Sequence, residues 1–106
     1  LRSARTKACD ISPKVRQAVG ERDNWTCIIC HRPGIPNAHY VPKGGHGGLG
    51  IEQNIVTLCP DCHHMYDNGY NKDVNLREKM GEKIKAYLDE KYPGFPDEKR
   101  IYRRWA

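Results

Sequence analysis

Only one phenylalanine occurs in 106 residues, hydrophobic residues make up 38% of the chain, and no apolar run is long enough for a signal sequence or a membrane span. The first two shortages exclude a fold resting on a deep apolar core. A chain this short has room for one domain, buries a modest fraction of its unfolded surface, and must lean on a metal or on disulfides. The third shortage points away from a membrane and towards a reducing, cytosolic setting in which disulfides are disfavoured. Acidic residues are also the minority. Thirteen Asp and Glu against eighteen Lys and Arg leave a net charge of +5, which suits a polyanionic partner such as nucleic acid.

No internal repeat is present, and no linker divides the chain. Residues 1–11 carry Arg2, Arg5 and Lys7 without apolar periodicity and read as a basic arm, trimmed or disordered, with no assigned structure. The body is expected over residues 12–92 and a tail over 93–106. Ser12 followed by Pro13 signals a helix start, with Val15, Ala18 and Val19 at helical spacing and an end near Asp23 and Asn24. The middle is short runs broken by glycine: a knuckle at Cys27–Cys30, then strands at Ala38–Val41 and Ile55–Leu58. Between the strands, Gly44-Gly45-His46-Gly47-Gly48 is a loop suited to close approach of the backbone to a ligand. Leu76, Met80, Ile84, Tyr87 and Leu88 form one stripe of a long helix that Asp73 or Asn75 can cap and Pro93 ends. The charged residues on its other face read as solvated. The tail gathers Lys99, Arg100, Arg103 and Arg104 with Tyr102 and Trp105, a mixture that either touches phosphates or packs against the body.

Cys27-x-x-Cys30 and Cys59-x-x-Cys62, 28 residues apart, are paired metal knuckles, each able to supply two thiolates to one tetrahedral zinc. Four protein ligands close the coordination sphere, so this zinc is expected to fold the chain and to do no chemistry. Cys9 lies outside both knuckles and is most simply a free thiol.

Four further residues exceed what a zinc domain needs. His63 and Asp67 are four apart in the helix expected to leave the second knuckle, so their side chains share a face and can bind one cation; His64 points elsewhere. His63 and His64 also admit a plainer use, as a helix cap or a spare zinc ligand. His39 lies on the strand between the knuckles, which the zinc brings back against that helix. A neutral imidazole opposite a bound cation is what phosphodiester hydrolysis needs: a group to activate water and a Lewis acid for the charge on phosphate. Asn54, just before the second strand, clamps the preceding loop, orients His39, or is only a turn residue.

The stretch Cys27 to Asp67, about 40 of 106 residues, resembles the HNH endonucleases, especially the small phage and prophage proteins with two zinc knuckles. Ala38-His39-Tyr40-Val41-Pro42 resembles the first family motif, Gly47-Gly48-Leu49-Gly50 with Asn54-Ile55-Val56-Thr57-Leu58-Cys59 the second, and Cys62-His63 the third. The resemblance implies an α+β fold: a small ββα-metal (His-Me finger, treble-clef-like) domain with a structural zinc and flanking helices. It further implies His39 as general base, Asn54 as holder of the loop, and His63 with Asp67 as ligands of a catalytic divalent metal: magnesium, manganese, nickel or zinc. The expected product ends are 5′-phosphate and 3′-hydroxyl. DNA is the expected partner, held through its phosphates by Lys43, Arg100, Arg103 and Arg104, together with a phage or packaging protein. The sequence departs from the family at Ala38, where many members carry an Asp or His metal ligand that His46 or water would have to replace, and at Lys43-Gly44, where relatives often show Arg-Ser. Two other functions compete: a non-catalytic zinc module that binds nucleic acid, and a treble-clef protein-interaction domain.

Overall fold

In the computed structural model, which describes residues 3–72 and 74–103, Ser12 caps the first long helix by accepting a bond from the Val15 amide at 3.2 Å. Proline at the first helical position costs no hydrogen bond there. This helix, α2, spans Pro13–Asp23 and ends on Asn24 in the left-handed region at φ 56°. Two strands follow, β1 over Ile35–His39 and β2 over Ile55–Leu58, then α3 over Pro60–Lys72 and α4 over Val74–Lys91. A 3-10 turn follows over Asp97–Arg100.

The architecture is α+β with a two-stranded antiparallel sheet. The register pairs Ile35 with Leu58, Pro36 with Thr57, Ala38 with Val56 and His39 with Ile55. The irregularity between Pro36 and Ala38 leaves Asn37 as the extra, unpaired residue. A bulge beside a proline is a suitable arrangement, because proline has no amide to give the ladder. Pro36 and Ala38 turn inward, whereas Asn37 and His39 remain half-exposed on the opposite face. Every residue of β2 is buried, with α2 against both strands and α3 against β2 and α4. The expected strand at Ala38–Val41 is thus shifted towards the N-terminus. Beyond His39, the ladder gives way to bonds made by Asn54, whose side chain takes over the Val41 amide.

The core is thin, as the composition requires. Val56, Leu58, Met80, Ile84 and Leu88 share it with Cys27, Cys59 and Cys62, so three of the four knuckle cysteines are part of the interior, and Cys30 is exposed. The stripe on α4 faces inward as its spacing predicts. Asn75 lies inside α4, and Asp73 lies outside the described residues.

Polar pins supplement this core. Asp23 is buried at the end of α2, where its carboxylate accepts bonds from the Thr57 amide at 3.0 Å, from Arg22 at 2.7 and 3.0 Å, and from the Tyr87 hydroxyl. Arg22 continues to the carbonyls of Glu52 and Ile55, both at 2.8 Å, and to the Tyr92 hydroxyl. One helix end is thereby tied to β2 and to α4.

The N-terminal segment differs from the expected arm, and the described part of the tail takes the packing one of its two expected uses. Residues 4–9 form a helical turn, α1 (Ala4–Cys9), capped by Ser3. It has no apolar stripe because tertiary backbone bonds hold it: the Gly50 amide donates to the Ala8 carbonyl at 3.0 Å. In the tail, Arg100 is fully buried, donating to the Gln53 carbonyl and to Asp97, each at 2.6 Å, and lying between the Tyr40 and Phe95 rings. Arg100 is therefore not a phosphate contact but a brace beneath the glycine loop, whose Gly47 and Leu49 exchange backbone bonds with Tyr102 and Arg100. Arg103 is exposed beside Glu98, and Arg104 lies outside the described residues.

Removing the Asp23 carboxylate leaves the largely enclosed Arg22 guanidinium with neutral acceptors and without its ionic partner. Asp23→Ala is expected to cost on the order of 3–5 kcal/mol in urea denaturation. Tyr87→Phe, which removes a single donor to the same carboxylate, should cost about 1.5–3 kcal/mol. Equal and negligible losses would show that the network is incidental.

Candidate functional site

The second knuckle spans the end of β2 and the first turn of α3, while the first occupies the turn after α2, closed by an isolated bridge between Thr26 and Pro33. In each knuckle the second cysteine's amide donates to the first one's sulfur, Cys30 to Cys27 at 3.5 Å and Cys62 to Cys59 at 3.4 Å. All four Sγ atoms lie within 4.8 Å of one another, and none is in a disulfide. A tetrahedron with zinc–sulfur bonds of about 2.3 Å has edges of about 3.8 Å, so the donor set fits a single ion. Burial opposes ionisation of Cys27, but amide donors around its sulfur outweigh it and bring the thiol down to about 7. Burial, with the neighbouring thiols, pushes Cys62 up. A central cation resolves this competition, because coordinated thiols are deprotonated outright. These four cysteines could hold a structural metal such as zinc.

Asn54 is fully buried, and its amide group is completely engaged. Its Oδ1 accepts the Val41 amide at 2.8 Å, and its Nδ2 donates to the carbonyls of Val41 and Leu49 at 3.2 and 2.8 Å. Of the three uses open to it in the sequence, this geometry is the loop clamp. The glycines serve the same closure. A Cβ at Gly48 would lie 1.7 Å from the Val41 carbonyl oxygen, and one at Gly50 would lie 2.0 Å from that of Asp10. Their close approach is thus to the chain's own backbone and not to a ligand, whereas Gly44 and Gly45 border open space.

The clamped loop forms one wall of a cleft of about 380 Å³ that also contains His39 from β1, His63, Tyr66 and Asp67 from α3, and Arg77 from α4. His63 Nε2 and Asp67 Oδ2 are 2.9 Å apart, as the i,i+4 spacing predicts. His39 Nε2 lies 2.7 Å from the Cys9 carbonyl oxygen. A carbonyl can only accept, so the neutral ring carries its proton on Nε2 and keeps Nδ1 as its acceptor. Burial holds the His39 pKa below its ordinary value, with Lys43 and His63 acting in the same direction against the Cys9 carbonyl and Asp67. Lys43 enters the cleft paired with Asp10. The Tyr66 hydroxyl donates to the Tyr40 carbonyl at 3.0 Å, and Arg77 lies over the Tyr66 ring. His64 faces a neighbouring cavity, and His46 is exposed.

Three contributors escape the sequence reading. Arg77 sits on the charged face of α4 and carries no local signal. The Cys9 carbonyl is backbone and is invisible to any motif. Asn37 was legible in principle, since it stands two residues before His39 and shares its strand face.

A curated relative, Anaredoxin from Nostoc sp., is 32% identical over 57 residues, which cover 53% of this chain and 75% of the relative. No family model matches the chain, and no solved structure does. Among the described residues, no helix is long and apolar enough to cross a membrane.

Because three of the four knuckle cysteines belong to the core, purified protein should carry one tightly bound metal per chain, and strong chelation should unfold it. Elemental analysis and far-ultraviolet circular dichroism measure the two effects. Cys59→Ser should lose both metal and fold, and Cys9→Ser should retain its metal. A metal-free preparation with an unchanged spectrum would remove the structural role.

Proposed function

The chain belongs to the family of Anaredoxin, and we propose that this member is a metal-dependent DNA endonuclease of the HNH kind that hydrolyses phosphodiester bonds. The observation that carries this reading is the convergence of His39, His63 and Asp67 on one cleft walled by Lys43 and Arg77. A zinc domain needs none of these side chains.

In this reading His39 is the general base. Its Nε2–H is held by the Cys9 carbonyl, so Nδ1 takes the proton from a water molecule that attacks phosphorus. The new bond is oxygen to phosphorus, the bond to the 3′ oxygen breaks, and that oxygen collects a proton from solvent, leaving 5′-phosphate and 3′-hydroxyl ends. His63 and Asp67 would hold a divalent cation, which would supply Lewis-acid neutralisation of charge on the phosphate. Ala38 is fully buried in the core, so a ligand at its position has no access to the cleft. Lys43 and Arg77 bind phosphate oxygens, and Asn54 keeps the Lys43 loop against β1.

A second reading has its own support, from the cysteine tetrad and from the redox sense of the relative's name. Among the described residues, the tetrad is the group of three or more His, Cys, Asp or Glu able to hold a metal. Four thiolates suit zinc and iron alike. The reading therefore takes two forms: a non-catalytic, nucleic-acid-binding module folded by zinc, or an iron centre that exchanges electrons. A colourless, zinc-loaded protein excludes the second form, since zinc has no redox chemistry.

Plasmid nicking by the pure, metal-replete protein with magnesium, manganese, nickel and zinc in turn tests the main reading. His39→Ala should lose about 100- to 10,000-fold in rate with fold and bound metal intact. Asp67→Ala should raise the divalent-metal concentration required. The base works only when neutral, and its pKa is depressed. Activity should therefore persist below the ordinary histidine value of 6.5 and fall only as pH drops through the lower one. Ligase should seal the nicks. Cleavage by His39→Ala equal to the parent's would transfer the chain to the second reading.

A further inference from the structure

We propose that the N-terminal turn carries a second phosphate subsite, in which Arg5, with Lys43, holds the backbone phosphate next to the scissile one. This rests on the nuclease reading and extends its site to two successive phosphates of one strand. A cavity of about 370 Å³, lined by Arg5, Thr6, Cys9, Lys43 and Gly44, adjoins the cleft and shares Lys43 and Gly44 with it, so the two form one continuous surface.

Arg5 is fixed relative to the cleft twice over. It stands four residues before Cys9 on α1 and so shares a face with it. The Cys9 carbonyl receives His39 at 2.7 Å, and the Gly50 amide donates to the Ala8 carbonyl at 3.0 Å, so this turn is tied to both walls of the cleft. Four residues of helix span about 6 Å, on the scale of the step between successive phosphates of a strand. The guanidinium itself is also held. Its Nη2 donates to the Gly44 carbonyl at 3.0 Å, and a Cβ at Gly47 would lie 3.3 Å from that nitrogen and 3.6 Å from Nε, so the group lies along the glycine loop.

Charge and open space select the ligand. Lys43 is ion-paired with Asp10, which offsets its charge, whereas the partner of Arg5 is a neutral carbonyl. The net attraction for an anion at this end of the cleft therefore comes from Arg5. One bond leaves most of its five N–H donors for a phosphate, whose oxygens a planar guanidinium meets two at a time. Gly44 supplies an independent sign. It is exposed, its φ is outside the left-handed region, and a Cβ there would meet nothing within 4 Å, so neither backbone conformation nor packing calls for glycine. Its missing side chain keeps the passage between the two cavities open. A phosphodiester strand fits such a passage, and contacts of this kind position the strand without reading its sequence.

The test uses the full, metal-replete chain. Fluorescence anisotropy with a labelled duplex, in the His39→Ala background so that binding is read without cleavage, gives the slope of log affinity against log salt. Arg5→Ala should reduce the steepness of that slope by about 1, the loss of one phosphate contact, and Arg5→Lys, which keeps the charge, should retain it. Gly44→Leu, whose side chain enters open space, should fold normally and weaken binding by filling the passage. In parallel, cutting by the chain with His39 intact is mapped on an end-labelled duplex carrying one uncharged methylphosphonate. The parent should cut about tenfold less at the bond on one side of the neutral linkage, and Arg5→Ala should lose that asymmetry. An unchanged slope in Arg5→Ala, or the same asymmetry with and without the guanidinium, would overturn the subsite while leaving the nuclease reading in place. Weaker binding at an unaltered slope would overturn it too, by showing that Arg5 only braces the loop. A reduced slope with no cutting of any strand by the parent would support the phosphate subsite and remove the nuclease reading.

Discussion

The meeting of four cysteine sulfurs is the constraint on which the remaining geometry depends. Cys27 and Cys30 belong to the turn after α2, and Cys59 and Cys62 to the junction of β2 with α3. Bringing the pairs together closes a loop containing β1, the glycine segment and β2. It thereby sets β1 antiparallel to β2 and places α3 across from His39. A chain with so few large apolar residues cannot obtain this closure from burial alone. Cys27, Cys59 and Cys62 are themselves part of the core, which explains why a small interior suffices.

Closure alone does not orient side chains, and the fold uses buried polar groups for that. Asp23 with Arg22 fixes the end of α2 to β2 and α4, Asn54 fixes the loop after β1, and Arg100 fixes that loop from below. The Asp23 carboxylate and the Asn54 amide are well supplied with hydrogen bonds, the condition under which a buried polar group specifies a geometry instead of destabilising it, whereas Arg100 bonds through Nε and Nη1 and leaves Nη2 without a partner. The +5 charge is accordingly a poor guide to partners, since two of the arginines contributing to it are structural.

What was legible in the sequence were the features with a local physical cause. Ser12-Pro13 states a helix start through capping chemistry, the α4 stripe through its period, and the knuckles through ligand spacing. His63 and Asp67 are neighbours because a helix makes them so. Features held by distant backbone were not legible. The α1 turn exists because Ala8 accepts from Gly50, and Arg100 is buried because Gln53 and Asp97 receive it. A basic residue in a tail gives the same sequence signal whether it is exposed or enclosed. The position of β1 escaped for a related reason: Asn54 replaces a strand partner with a side chain, which hydrophobic alternation does not register.

The N-terminal turn has the least sequence signal and a direct bearing on the cleft. Its last carbonyl, that of Cys9, accepts from His39 and so fixes the tautomer of the neutral ring. The same segment supplies Asp10 to Lys43, and Arg5 donates to the Gly44 carbonyl at 3.0 Å. The turn thus braces both the imidazole and the glycine loop. The cleft is assembled from segments far apart in sequence, and each is fixed by a separate device: α3 by the cysteines, the loop by Asn54, the imidazole by a backbone carbonyl. A motif search finds the side chains in this assembly. The bond that sets the tautomer of His39 comes from outside the motif, made by a carbonyl that any amino acid at position 9 would provide.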